Sequence, residues 1–222
     1  MIGILAATDM EVRAILDLGQ LEKTETIAGI ELHYGRIKGK DLVLAKTGIG
    51  KSHAAMATTI LCTRHPLEFI INIGTAGGLR DEQNRLDLVF STKVVQADFD
   101  TRPIDGPEAL GLMYEADPDL LEKALRAAKK AGLHFHQGMI ASQDIFMAHQ
   151  EDFDKLMMHF PDSVCSEMEG AAVGQVAADF QIPFLVVRSL SDIVSHPDNG
   201  MDYWEYAYKA SVQIARWLDE LL

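Results

Sequence analysis

Two short stretches concentrate side chains able to move protons. Ser163-Val-Cys-Ser-Glu-Met-Glu-Gly170 sets Glu167 and Glu169 on either side of a methionine, and Pro183-Phe-Leu-Val-Val-Arg-Ser-Leu-Ser-Asp192 ends an apolar run in Arg188, Ser191 and Asp192. An uninterrupted apolar run with Val-Val at its centre reads as a buried parallel strand, and open α/β sheets bind ligands beyond the C-terminal ends of such strands. Two further strand ends offer Glu11, just after the apolar opening Met1–Ala7, and Thr75, inside the glycine turn of Phe69-Ile-Ile-Asn-Ile-Gly-Thr-Ala-Gly-Gly78. If these ends converge, the pocket holds more acids than bases and cannot ionise fully without partners. One carboxyl kept protonated beside one kept charged is the arrangement that hydrolyses an acetal-like bond through an oxocarbenium-like centre. A glutamate can also accept both vicinal hydroxyls of a ribose. Residue types alone leave sugar, nucleoside and phosphate-free ester substrates open.

The elements that must carry these groups can be placed in order. Thr8 or Asp9 caps a helix bearing Val12, Ile15 and Leu16, with Glu11 in its first turn, where a carboxylate is also favoured by the helix dipole. Glu25–Ile30 and Glu31–Ile37 form a hairpin turned near Ala28-Gly29, and Asp41–Thr47 is a strand leading through Gly48-Ile-Gly-Lys-Ser52 to a helix over Ala54–Thr63. That glycine turn lacks the first glycine of a phosphate loop, where Ala45 stands, but its free amides can line a pocket. The turn at Gly74, Gly77 and Gly78 lacks dinucleotide-binding spacing and instead allows close backbone approach to a ligand. Leu86–Val95 is a strand, Gln96–Gly106 an irregular loop, Asp117-Pro118 a helix start, and His134–Ser142 a strand followed by a loop with an exposed aromatic. His134 and His136 share a strand face but find no third ligand at a useful spacing, so no metal site is expected. The last helix, Tyr203–Leu222, carries Tyr206, Ala210, Ile214, Trp217 and Leu221 as a packing stripe. Strand–helix alternation implies an α/β fold: a single domain over residues 1–222, three-layered, with a mixed, mainly parallel twisted sheet covered on both faces.

At 222 residues and 48% hydrophobic composition, the chain can bury one large core. A net charge of −13 argues against nucleic-acid backbones and anionic membranes as partners. Cys62 and Cys165 read as separate buried thiols in a reducing compartment, no apolar window is long enough to span a bilayer, and a cytoplasmic location is expected.

Several ordered blocks together carry a resemblance that runs over essentially the whole chain. They are Ile2-Gly3 through Glu11-Val12, Thr47-Gly-Ile-Gly-Lys51, Asn72-Ile-Gly-Thr-Ala-Gly-Gly-Leu79, Glu167-Met-Glu-Gly-Ala171 and Val187-Arg-Ser-Leu-Ser-Asp192. The sequence resembles the 5′-methylthioadenosine/S-adenosylhomocysteine nucleosidases, within the nucleoside phosphorylase-type superfamily. The resemblance implies Glu11 as the base that activates water, with Thr75, Glu167 and Arg188 nearby, and Asp192, beside Ser191, as the acid that protonates adenine at N7. It implies Glu169 on the ribose hydroxyls, Met168 against the sugar, Phe146 stacked on the base, the main chain of Met147 reading its edge, and Gly77 allowing close approach. It implies a purine nucleoside substrate, no metal or redox cofactor, and a homodimer whose partner closes the alkylthio end. The chain departs from the family pattern in Ala6-Ala-Thr-Asp-Met-Glu11, in Thr75 for a serine and in Ala97 for a histidine, which leaves the preferred 5′ substituent open. A phosphorylase needs a cationic phosphate nest, whereas the first loop offers Asp9 and Glu11. A hydrolase of another purine or futalosine-type nucleoside would keep the same acid and base. A non-catalytic nucleoside-binding module would not need them.

Overall fold

The computed structural model describes the backbone of residues 1–194 and 203–222 and the side chains of 1–194 and 205–222. The first half runs β1 (Ile2–Ala6), α1 (Asp9–Leu16), β2 (Gln20–Ile27), β3 (Ile30–Ile37), β4 (Lys40–Lys46) and α2 (Lys51–Arg64). The second runs β5 (Phe69–Gly78), β6 (Leu88–Asp100), α3 (Arg102–Asp105), β7 (Leu110–Glu115), α4 (Pro118–Lys130), β8 (Phe135–Ser142), α5 (Gln150–His159), β9 (Ser163–Glu167), α6 (Gly170–Asp179), β10 (Phe184–Ile193) and α7 (Tyr203–Leu221).

The continuous apolar runs become the buried strands: every residue of β1 is buried, as are nine of the ten in β10. The β2–β3 hairpin closes with Ile27 opposite Ile30, and its two turn residues, Ala28 and Gly29, both have positive φ (50° and 83°), the geometry that matches the twist of paired strands. The sheet is mixed. Its parallel centre joins β4, β1, β5 and β10, and β6, β8 and β9 pair in parallel beyond it.

Strand β5 has more neighbours than an ordinary strand. Along one edge it pairs with β10 over Ile70–Gly78. Along the other, Phe69–Asn72 pair with β1, and Gly77 and Gly78 pair with β9. Because β10 also pairs with β6, the strands β5, β10, β6, β8 and β9 close into a ring, and β1, β4, β3 and β2 extend from it as an open sheet.

Helices flank the sheet in two groups, α2 with α6, and α1 and α4 with α7. The stripe on α7 is packing, as expected. Ala210, Ile214 and Trp217 are buried, and Trp217 donates its indole N–H to the Ala124 carbonyl (3.0 Å) with its ring 5.4 Å from that of Phe90.

The expectation of a loop over Gln96–Gly106 changes. Gln96 does not begin a loop: β6 continues to Asp100, because β7, which no apolar run announced, pairs with Lys93–Asp100. The short α3 then occupies part of the expected loop, and α5 forms with only Leu156 fully buried. His136 is held by Asp87, its Nε2 2.9 Å from Oδ2, which accounts for it without a metal.

Candidate active site

The place where β5 changes partners is where the first catalytic candidate enters. After Asn72, β1 has ended its pairing, and β9 joins only at Gly77. In that interval the Thr75 amide is free of the ladder on this edge and donates instead to Glu11 Oε1 (3.1 Å). The other oxygen, Oε2, accepts from the amides of Ala7 and Thr8 (2.9 Å each). Three backbone donors therefore fix the direction of one carboxylate. Glu11 reaches this gap because α1 starts two residues after β1, with Thr8 as its cap and the Glu11 carboxylate returning to the cap amide. The geometry that caps α1 thus also aims the Glu11 carboxylate into the gap beside Thr75. Gly74 permits it, since a Cβ there would lie 3.1 Å from Glu11 Oε1 and 3.5 Å from Arg188 Cζ.

The β9–α6 junction places two glutamates differently. Glu167 accepts from the Ser142 hydroxyl, from Arg188 Nη2, and from the amides of Glu169 (3.0 Å) and Gly170 (2.8 Å). It closes the N-terminus of α6, where a carboxylate meets free N–H groups and the positive end of the dipole. Arg188, 1% exposed, lies behind it and donates also to the Asn72 side chain (2.6 Å) and to the carbonyls of Asn72 and Val187. Glu169 instead accepts from the Gly50 amide through Oε1 (2.8 Å), and its Oε2 stands 4.0 Å from Arg188 Nη2. Burial, reinforced by the neighbouring charge of Glu167, pushes the Glu169 carboxyl up to about 7.

Asp192 enters from β10. The β5–β10 register shifts between Leu190 and Asp192, with Leu190 opposite Ala76 and Asp192 opposite Gly77, so Ser191 is the extra residue of a bulge that re-aims the acid. The Ser191 hydroxyl donates to Asp192 Oδ1 (2.8 Å). Burial raises the Asp192 carboxyl above the ordinary range, opposed by that hydrogen bond and by the charge of Arg85. A Cβ on Gly77 would stand 3.2 Å from Asp192 Oδ2, so glycine is the residue that leaves this carboxyl room.

These groups open onto one cleft of about 720 Å³ including its mouth. Ten of the eleven residues singled out from the sequence line it: Glu11, Thr75, Gly77, Phe146, Met147, Glu167, Met168, Glu169, Ser191 and Asp192. Arg188 does not line the cleft; it supports Glu167 from behind. The sequence reading missed Ile49, Ile145 and Val194, which add apolar wall, and Ser142 and Gly50, which hold the two glutamates. Ile49 and Gly50 had a signal in the glycine turn before α2. Ser142 had none, since its partners lie far along the chain. Ala97 is buried among Leu79, Val95 and Leu156, outside the cleft lining. Among the described residues, no group of three or more His, Cys, Asp or Glu is arranged to hold a metal ion.

The model of the phosphorylase superfamily matches residues 1–222. A 5′-methylthioadenosine/S-adenosylhomocysteine nucleosidase of Shewanella sediminis is 36% identical, covering 100% of this chain and 98% of its own, and one of Halalkalibacterium halodurans is 38% identical over 96% and 94%. The chain belongs to this nucleosidase family of the phosphorylase superfamily. Solved structures agree in fold. The Neisseria meningitidis nucleosidase in complex with methylthio-immucillin-A superposes with a TM-score of 0.92 at 28% identity, covering 99% of this chain and 97% of that one. A futalosine hydrolase of Helicobacter pylori superposes at 0.90 and 29% identity, covering 99% and 96%. The nucleosidase fold is therefore shared by proteins named for different nucleosides.

Proposed function

We propose that the protein hydrolyses the N-glycosidic bond of 5′-methylthioadenosine and S-adenosylhomocysteine, releasing adenine and the 5′-thioribose. The observation that carries the reading is that Glu11, fixed by three backbone amides, and Asp192, raised by burial, open onto the same cleft as Glu169. A carboxyl raised by burial keeps its proton to higher pH and can deliver it to N7 as the C1′–N9 bond breaks, so that adenine leaves neutral. Glu11 then accepts a proton from the water whose oxygen bonds to C1′ of the oxocarbenium-like sugar. Glu169 accepts from the ribose hydroxyls and Met168 packs against the sugar. Phe146, 59% exposed at the cleft mouth, stacks on the base while the main chain at Met147 reads its edge. Thr75 and Ser191 orient Glu11 and Asp192, and Arg188 acts through Glu167.

Hydrolysis is favoured over phosphorolysis because Glu11, Glu167, Glu169 and Asp192 line the cleft and disfavour an anion, while none of the described lining residues is Lys, Arg or His. Futalosine-type nucleosides are the second reading, since the same acid and base serve them and a futalosine hydrolase shares the fold. The deciding experiment incubates purified protein with methylthioadenosine, with and without phosphate. Adenine plus free methylthioribose at a phosphate-independent rate supports the reading. Phosphate dependence with a sugar 1-phosphate product overturns it, and absence of cleavage moves the assignment to another nucleoside.

The assembly we propose is a homodimer that covers exposed apolar side chains such as Ile104 and Met113. A cytoplasmic location fits the two free cysteines. No described helix is long and apolar enough to cross a membrane.

A further inference from the structure

Two consecutive amides at the start of α2 are both taken by carboxylates. Gly50 N–H donates to Glu169 Oε1 (2.8 Å), on the sugar side of the cleft, and Lys51 N–H donates to Asp144 Oδ1 (2.8 Å), in the loop that follows β8. Asp144 is held a second time, its own amide donating to Asp98 Oδ2 (2.9 Å) at the far end of β6. Lys51 Nζ pairs with the other oxygen of Asp98, so α2, β6 and the loop close a triangle of hydrogen bonds. Gly50 sits at φ 97°, a backbone region that disfavours other residues, and a Cβ there would come within 3.1 Å of Asp144 Oδ1. The residues immediately after Asp144 are Ile145, Phe146 and Met147, all lining the cleft. Asp144 is itself exposed and outside the lining.

We infer that Asp144 is a positioning residue, clasped between the Lys51 amide and Asp98, that sets the Phe146–Met147 wall over the base in register with Glu169 on the sugar. The inference rests on the proposed function, because it takes Phe146 and Met147 to face the base. Two anchors on one residue fix both the position and the direction in which the loop leaves β8. Sharing neighbouring amides of α2 ties the spacing between the base wall and Glu169 to a rigid helix turn. The clasp acts on the bound base throughout the reaction, so its loss weakens ground state and transition state alike.

The test is steady-state kinetics on methylthioadenosine with calorimetry of adenine binding. Asp144→Ala is expected to raise KM about tenfold with kcat within about twofold, the signature of lost uniform binding. Asp144→Asn, which keeps an oxygen for the Lys51 amide, is expected to recover most of that loss. In a Phe146→Ala background only the Met147 main-chain contact is left to place, so Asp144→Ala should weaken adenine binding less than it does in the wild type. An unchanged KM in Asp144→Ala, a parallel fall in kcat, or an equal loss of adenine affinity in both backgrounds overturns the inference. If the wild-type protein neither cleaves methylthioadenosine nor binds adenine, it is the functional reading that fails.

Discussion

Glu167 and Glu169 are two residues apart, chemically identical, and used in opposite ways. Glu167 spends its oxygens on Ser142, Arg188 and the first amides of α6, which makes it part of the frame. Both line the cleft, but the Glu169 carboxyl has only one amide partner among the described residues. Its carboxyl, raised to about 7 from an ordinary 4.5, stays protonated in the folded chain at pH values where the unfolded chain ionises it. That contribution to stability is fully present below about pH 4.5 and is lost as pH rises through about 7. Thermal melts from pH 5 to 8 should therefore show Tm falling less with pH in Glu169→Gln than in the wild type; identical slopes would count against the assignment. For Asp192, replacement by Asn removes the transferable proton and keeps the shape. Turnover should fall by about 10² to 10⁴ while the Kd for methylthioadenosine stays within a few-fold, as single-turnover kinetics and calorimetry would report. Wild-type-like turnover would remove Asp192 from the acid role. The charged residues of the site were legible in the sequence because acids and a cation at the ends of apolar runs are conspicuous. Their division of labour was not, since it depends on partners such as Ser142 and Gly50, which adjoin the glutamates only after folding.

Among the elements, the apolar runs that became β1, β5 and β10 were legible because strands buried on both faces need no alternation. β7, the outer part of β6 and α5 were not. β7 is an edge strand with no fully buried residue, β6 ends in the exposed Asp98-Phe99-Asp100, and α5 fully buries one side chain. Their order comes from neighbours instead of local pattern. The partner change along β5 was equally hidden, yet it creates the gap into which Glu11 points. Gly74 lies in that gap, directly against the Glu11 carboxylate. Gly74→Ala would press a methyl against Glu11 Oε1, whose carboxylate must shift by tenths of an ångström. A loss in kcat of about tenfold is expected, because catalytic groups tolerate little displacement. A modest drop in stability of about 1–3 kcal/mol should accompany it, as for other overpacked sites. Unchanged kcat would show that the approach of Glu11 to β5 is dispensable.

For the whole molecule, the proposed homodimer makes a test of its own. Ile104 is 85% exposed on α3, beside the end of β6, and a charge there should be tolerated by the monomer and not by a shared apolar face. Ile104→Glu should shift the mass from dimer to monomer in light scattering and leave Tm measured at low protein concentration nearly unchanged; a mass that does not move would place the interface elsewhere. The ring of strands through β5 and β10 has a further consequence, in time instead of space. Phe69–Gly78 cannot complete its pairing until Phe184–Ile193 has been made, so more than half the length of the chain separates the two sides of the pocket during synthesis. Until then the growing chain carries a sticky, half-paired β5, and β10, made after the other described strands, is the one that both seals the barrel and delivers its acid.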